Sequence, residues 1–131
     1  MKDILIVYPR DHKSFIKKLV SRLESDNFTC YVAPRDFRQD DKESVTRFLE
    51  SSGILLLVMD KTSASNAEMR TALQIALESQ KEIIPFVIEK TEQGLYSDYF
   101  FHALSWVDAY EDSFDDAYDL LKEAIAGLTG E

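Results

Sequence analysis

The chain has 131 residues, of which 45% are apolar and 11% aromatic. This composition excludes a disordered chain, because disorder requires low hydrophobicity together with high charge, and the length suits one domain rather than two. Fifteen Lys and Arg residues against twenty-four Asp and Glu residues give a net charge of -9. Such a surface repels phosphate backbones and anionic lipids, so we expect a single domain over residues 1–131 that binds neither nucleic acid nor membranes.

The first residues carry none of the marks of a targeting signal. Asp3 stands where a signal peptide has cations, and the apolar run ends at Val7, too early for a signal peptide or a membrane span. Cys30 is the sole cysteine, so a disulfide within the chain is excluded. We therefore expect a cytoplasmic protein.

Strand-like apolar runs alternate with helical stripes along the chain. Continuous apolar runs predict buried parallel strands over residues 4–7, 28–33, 53–59, 83–88 and, less regularly, 104–107. In the fourth run Pro85 cannot donate to the ladder, which predicts a strand start, a bulge or an edge there.

Apolar residues spaced three and four apart predict the helices between these strands. The helical segments are residues 11–26, a short helix around 45–49, a helix capped by Ser65 or Asn66, and a closing helix over 114–128. Acidic residues crowd the segment from 108 to 131. That run favours a solvated helix face, with a docking surface for a basic partner as the alternative.

This alternation predicts an α/β fold with right-handed crossovers. A flavodoxin-like, five-stranded parallel sheet of order 2-1-3-4-5, with helices on both faces, accommodates all the predicted elements. Ligands of such sheets bind beyond the carboxyl ends of the strands. In this chain that edge carries residues 8–11, 33–36 and 60–63, where we expect the site.

Several common kinds of site lack support in the sequence. No glycine-rich phosphate loop follows the first strand, and no Cys/His spacing suits a metal, so we expect His12 and His102 to be surface or boundary residues. No nucleophile elbow supports a Ser-His-Asp triad. Asp60 ends the third strand as the phosphoacceptor of a receiver domain does, but an acidic pair after the first strand is missing.

Four segments, in order and with matching spacing, resemble the bacterial branch of the Toll/interleukin-1 receptor (TIR) domain family. They are Tyr-Pro-Arg-Asp at 8–11, Cys-Tyr-Val-Ala-Pro-Arg-Asp at 30–36, Ile-Ile-Pro-Phe at 83–86 and Trp-Val-Asp-Ala at 106–109. Each motif is weak alone, but together they cover essentially the whole chain. Family members usually follow Pro-Arg-Asp with a glycine and an aromatic residue, and the segment 37–42 contains no glycine.

The resemblance implies a scaffold that cleaves the nicotinamide-ribose bond of NAD with a glutamate on the helix after the third strand. A carboxylate there holds ribose hydroxyls and stabilises positive charge as the bond breaks. Counting back from Pro85 places that glutamate at Ala72, so we expect the chain to be inactive. Three explanations remain open: a naturally inactive signalling domain, an engineered Glu-to-Ala variant, or Glu68, one turn earlier, acting instead.

The resemblance further implies a role in stress or antiphage signalling, NAD or a related nucleotide as the pocket's ligand, no separate cofactor, and homotypic self-association. The residues expected to line the pocket, besides the vacant position at Ala72, are Tyr8, Pro9, Arg10, Arg35, Asp36, Ser63, Asn66 and Glu68. Arg35 and Asp36 have a simpler alternative, in which they pair with each other or cap the next helix. The competing functions are a non-enzymatic interaction module and, more remotely, a receiver-like phosphoacceptor domain using Asp60.

Overall fold

The computed structural model describes residues 3–90 and 107–129. Its centre is a five-stranded, all-parallel sheet of order β2-β1-β3-β4-β5, which confirms the predicted topology. The strands are β1 (Ile4–Val7), β2 (Cys30–Val32), β3 (Ile54–Met59), β4 (Glu82–Val87) and β5 (Val107–Asp108).

Within the described ranges, four helices flank the sheet, two on each face. They are α1 (Lys13–Ser25), preceded by a 3-10 turn at Arg10–His12, α2 (Lys42–Glu50), α3 (Ala67–Glu78), preceded by a 3-10 turn at Ser63–Ser65, and α4 (Phe114–Thr129). None of the described helices has the length and apolar character needed to cross a bilayer.

Side chains alternate between the two faces of each strand and so build two separate cores. On one face, Ile6 and Leu56 belong to a cluster with the apolar stripes of α1 and α4. On the other, Leu5 and Leu57 pack with the stripes of α2 and α3. All six residues of β3 are buried, because this strand is central and covered on both faces.

Capping side chains fix the starts of α2 and α3, and left-handed residues other than glycine follow the ends of α1 and α3. The Asp41 carboxylate accepts from the backbone N–H groups at the start of α2, and the Asn66 side chain accepts from Met69 N at the start of α3. Asn27 (φ 70°) and Gln80 (φ 56°) follow the ends of α1 and α3. Asparagine tolerates this conformation better than most residues, which explains how α1 ends without a glycine.

The structure differs from the sequence prediction in the two edge strands, β2 and β5, and at Pro85. The second strand is shorter than 28–33, and the fifth is described over Val107–Asp108, while residues 104–106 lie outside the described ranges. Pro85 lies neither at a strand start nor on an edge strand: β4 is between β3 and β5, with Pro85 opposite Leu57. The described pairing with β5 begins one residue later, at Phe86.

Part of the acid-rich closing segment forms the outer face of α4. Its acids Asp115, Asp116, Asp119 and Glu123 are exposed, as expected of a solvated helix face. Its inner face is held by Tyr118, whose hydroxyl donates to Asp26 Oδ2 at 2.6 Å. Burial and this hydrogen bond to Asp26 raise the pKa of Tyr118.

Candidate functional site

A cleft of about 320 Å³ lies at the carboxyl ends of β1 and β2, between α3 and the segment that follows β2. This is the edge where parallel sheets bind their ligands. The lining residues are Tyr8, Arg10, Lys13, Ala33, Pro34, Phe37, Arg38, Gln39, Asp40 and Glu68.

Glu68 brings a carboxylate into this cleft from the first turn of α3. The helix starts there because Asn66 caps it, and an acid in the first turn is favoured by the helix dipole. Both carboxylate oxygens of Glu68 have partners: Arg10 Nη2 donates to Oε2 at 3.0 Å, and Gln39 Nε2 lies 3.4 Å from Oε1. The Arg10 side chain is 71% exposed and that of Glu68 is 27% exposed. The Glu68 carboxylate is therefore open to the cleft on one side and held in place by Arg10 and Gln39.

Gln39 joins the segment after β2 to the end of β1. Its Oε1 accepts from Tyr8 N at 3.1 Å and its Nε2 donates to Tyr8 O at 2.6 Å, the pairing that a neighbouring strand would provide. The Tyr8 hydroxyl donates to Ala33 O at 2.7 Å, and burial raises the pKa of Tyr8. The sequence carried no signal for Gln39, because a glutamine in a polar loop indicates no particular partner.

Ala72 lies one turn after Glu68 and does not line the cleft. It is 0% exposed and belongs to the core cluster between the sheet and helices α2 and α3. Phe37, 4% exposed, belongs to the same cluster and also lines the cleft. Position 72 therefore presents a methyl group to the interior, and Glu68 is the α3 acid in the cleft.

Arg35 and Asp36 do pair with each other. Arg35 Nε donates to Asp36 Oδ2 at 2.9 Å, and its two terminal nitrogens donate to the carboxylate of Glu24 at 3.1 and 3.0 Å. Hydrogen bonds first to Glu24 and then to Asp36 raise the pKa of Arg35. Asp36 also accepts from Val32 N, and the cap of α2 is Asp41.

Neither residue of this pair is among those lining the cleft. Arg35 lies instead on a second cavity of about 340 Å³ between α1 and the edge strand β2. The structure thus separates the predicted pocket residues: Tyr8, Arg10 and Glu68 come together, while Arg35 and Asp36 form part of the turn after β2.

Two of the remaining predicted site residues, Ser63 and Asn66, have structural partners close to the end of β3. Ser63 is fully buried, and its Oγ accepts from Asp60 N at 2.8 Å. Asn66 is the cap of α3, and Pro9 is buried before the 3-10 turn. None of these three is among the residues that line the cleft.

Asp60, the candidate phosphoacceptor, is 2% exposed. Its Oδ1 accepts from Thr62 N and Thr62 Oγ1 at 2.8 and 2.6 Å. Burial alone would raise the pKa of Asp60, but hydrogen bonds from Thr62 and His12 outweigh burial and hold it below its usual value. The carboxylate is thus ionised, held and nearly enclosed. His12, a quarter of whose side chain is exposed, is a boundary residue as expected, and His102 lies outside the described residues.

Comparison with known proteins identifies the fold and the family. The solved TIR domain of the Toll-related receptor TRR-2 from the lower metazoan Hydra magnipapillata is similar over 95% of this chain and 99% of its own, with a TM-score of 0.75 and 22% identity. The TIR domains of the activated Roq1 resistosome, which directly recognises the pathogen effector XopQ, match over 95% of this chain and 83% of theirs, with a TM-score of 0.56 and 14% identity. No curated protein matches the chain. The family model described as TIR domain matches residues 4–122, and the chain therefore belongs to the TIR domain family.

Proposed function

We propose that this chain is a bacterial TIR signalling domain that acts through self-association in stress or antiphage defence and does not hydrolyse NAD. The observation that supports this most strongly is at position 72. The resemblance puts the family's catalytic glutamate there, and the residue is an alanine, which has no carboxylate to offer a substrate. Removing one charge-stabilising group of this kind typically costs about 10²–10³ in rate.

Glu68 is poorly suited to replace the missing carboxylate. One helical turn displaces its backbone by about 5–6 Å along the axis of α3, whereas a misplacement of about 1 Å already impairs a reacting geometry. Its Oε2 is held by Arg10 at 3.0 Å and its Oε1 lies 3.4 Å from Gln39 Nε2. These two donors hold the carboxylate in its present orientation on the cleft.

Self-association is the function left to a TIR domain with an inactive cleft. The resemblance assigns homotypic contacts to the loop after the second strand and to neighbouring helices. In this chain that loop is anchored at both ends, by Arg35 to Glu24 and by Gln39 to Tyr8. Such anchoring preorganises the exposed Arg38 between the anchors and lowers the entropy lost when a second copy binds.

A second candidate function is NAD cleavage with Glu68 as the catalytic carboxylate. It is favoured by the position of Glu68 on the cleft beside Arg10 and Lys13. Here the substrate would displace Arg10 from Glu68, and the exposed guanidinium, a bidentate phosphate binder, would move to the pyrophosphate.

The experiment that separates the candidates is nicotinamide release from NAD, followed by chromatography. We expect no nicotinamide release from the unsubstituted chain or from Glu68→Gln, and we expect oligomers whose fraction rises with concentration. The second candidate predicts turnover that Glu68→Gln abolishes. Glu78→Gln, on an exposed position of the same helix, should leave that turnover intact. This result would contradict the first candidate.

Ala72→Glu is a further arm of the same assay. Turnover in Ala72→Glu alone identifies a disarmed NAD-cleaving scaffold. Silence in a folded Ala72→Glu protein, with oligomers retained, supports a pure interaction module. Circular dichroism of Ala72→Glu must show that the variant is folded, because the new carboxylate enters a buried position.

A further inference from the structure

Three potential metal ligands converge at the sheet edge, outside the cleft. His12 ends the 3-10 turn after β1, Asp60 follows β3 directly, and Glu89 lies two residues after β4. These strands are adjacent in the sheet, in the order β1-β3-β4, so their carboxyl ends meet. One ligand atom from each residue lies within 4.8 Å of the others, and none of the three lines the cleft.

We infer that His12, Asp60 and Glu89 form a binding site for a divalent transition-metal ion of the Zn²⁺ class. An imidazole with two carboxylates is a ligand set that Zn²⁺ accepts, and three protein ligands leave a fourth position for water. The site is independent of the proposed function, because it uses neither Glu68 nor position 72.

The distances are close to those that a bound ion requires. His12 Nε2 lies 2.9 Å from Asp60 Oδ2 and 3.7 Å from Glu89 Oε1. Ligands at about 2.1 Å from a tetrahedral ion are about 3.4 Å apart. Binding therefore requires His12 and Asp60 to separate by roughly 0.5 Å, and His12 and Glu89, whose side chain is 40% exposed, to approach each other by about 0.3 Å.

Asp60 is oriented for this role by its neighbours. Its side chain is 3% exposed, and Oδ1 is taken by Thr62 N and Thr62 Oγ1, with Ser63 Oγ at 3.4 Å. Oδ2 is thereby directed at His12 as a single-oxygen ligand. Hydrogen-bonded support of this kind orients ligands in metal sites, and it distinguishes this cluster from exposed acids that happen to be close.

The full chain, treated with a chelator and dialysed, is titrated with Zn²⁺ against a chromophoric competitor and with Co²⁺ by visible absorption. We expect one ion per chain for both metals, with no competition from equimolar Mg²⁺, which prefers six oxygen ligands. His12→Gln and Glu89→Gln are each expected to weaken Zn²⁺ binding at least tenfold. Asp11→Asn, which removes a charge beside His12 but no ligand, is the matched control and is expected to change affinity less than about twofold.

A second readout is the midpoint of thermal unfolding, because an ion that binds only the folded chain stabilises it. Zn²⁺ should raise this midpoint in the unsubstituted chain and in Asp11→Asn. It should not raise it in His12→Gln or Glu89→Gln. The inference is overturned by the absence of saturable Zn²⁺ and Co²⁺ binding. Binding that survives either ligand substitution also overturns it.

Discussion

Replacing Ala72 by glutamate tests whether the side chain at position 72 faces the core. Ala72 is 0% exposed and packs in the cluster that contains Leu57, Met69 and Leu73. The added atoms overpack this core at a cost of about 1–3 kcal/mol. A carboxyl group buried without a partner has its pKa raised by about 3 units, and each unit corresponds to about 1.4 kcal/mol.

The electrostatic part of this cost has a defined pH dependence. Because the folded chain holds the proton more tightly than the unfolded one, the loss of stability begins as pH rises past about 4.3 and is complete above the raised folded pKa. At pH 5 we expect a cost of about 1 kcal/mol from charge, and at pH 8 about 4 kcal/mol, in addition to the overpacking.

Urea denaturation at pH 5 and pH 8 measures both parts, with the natural sequence subtracted at each pH. For a slope of about 2 kcal/mol/M, the midpoint of Ala72→Glu should fall by roughly 1.5 M more at pH 8 than at pH 5. Ala72→Gln is the matched control, because it has the same size without the charge and should show the same loss at both pH values. A loss below about 1 kcal/mol for Ala72→Glu at pH 8, or no pH dependence, would show that position 72 opens to solvent.

Three further predictions concern the described interior and its anchors. Gln39→Ala leaves the backbone N–H and C=O of Tyr8 without their side-chain partners, so urea denaturation should show a loss of about 1–3 kcal/mol in the free energy of unfolding. The exposed control Gln74→Ala should lose less than about 0.5 kcal/mol. Equal losses would contradict the anchoring role of Gln39. Burial first, and then the nearby Glu24 carboxylate, raises the pKa of the Cys30 thiol to about 12, so an aromatic disulfide reagent at pH 8 should react only after unfolding; rapid labelling of the native chain would refute its burial. The hydrogen bond from Tyr118 lowers the pKa of Asp26. Its contribution to stability is present above the pKa of the unfolded chain, near 3.8, and is lost as pH falls through the lower pKa of the folded chain. Acid titrations followed by circular dichroism should therefore show a smaller stability loss for Tyr118→Phe than for the unsubstituted chain, and equal losses would contradict the bond.

The elements that local patterning specifies were predicted well. The run from Ile54 to Met59 is apolar throughout because β3 is covered on both faces. The stripe through Ile16, Leu19 and Leu23 appears because one side of α1 faces the sheet. Asn66 was one of two candidate caps, with Ser65, because a capping side chain acts within its own turn.

What the sequence could not predict depends on contacts between distant segments. The bond from Gln39 to Tyr8 spans 31 positions, and that from Arg35 to Glu24 joins a loop to the preceding helix. Glu68 and Ala72 differ by only about 40° around the helix, so periodicity could not decide which faces the cleft. That choice depends on how Phe37 and its neighbours cover α3, which is a tertiary property.

The most direct test of an inactive, self-associating TIR domain is NAD consumption by the unsubstituted chain, measured across protein concentrations that span its self-association. We predict that nicotinamide release stays at the level of buffer at every concentration while the assembled fraction rises. Nicotinamide release that increases with the assembled fraction, and that disappears in Glu68→Gln, would contradict it.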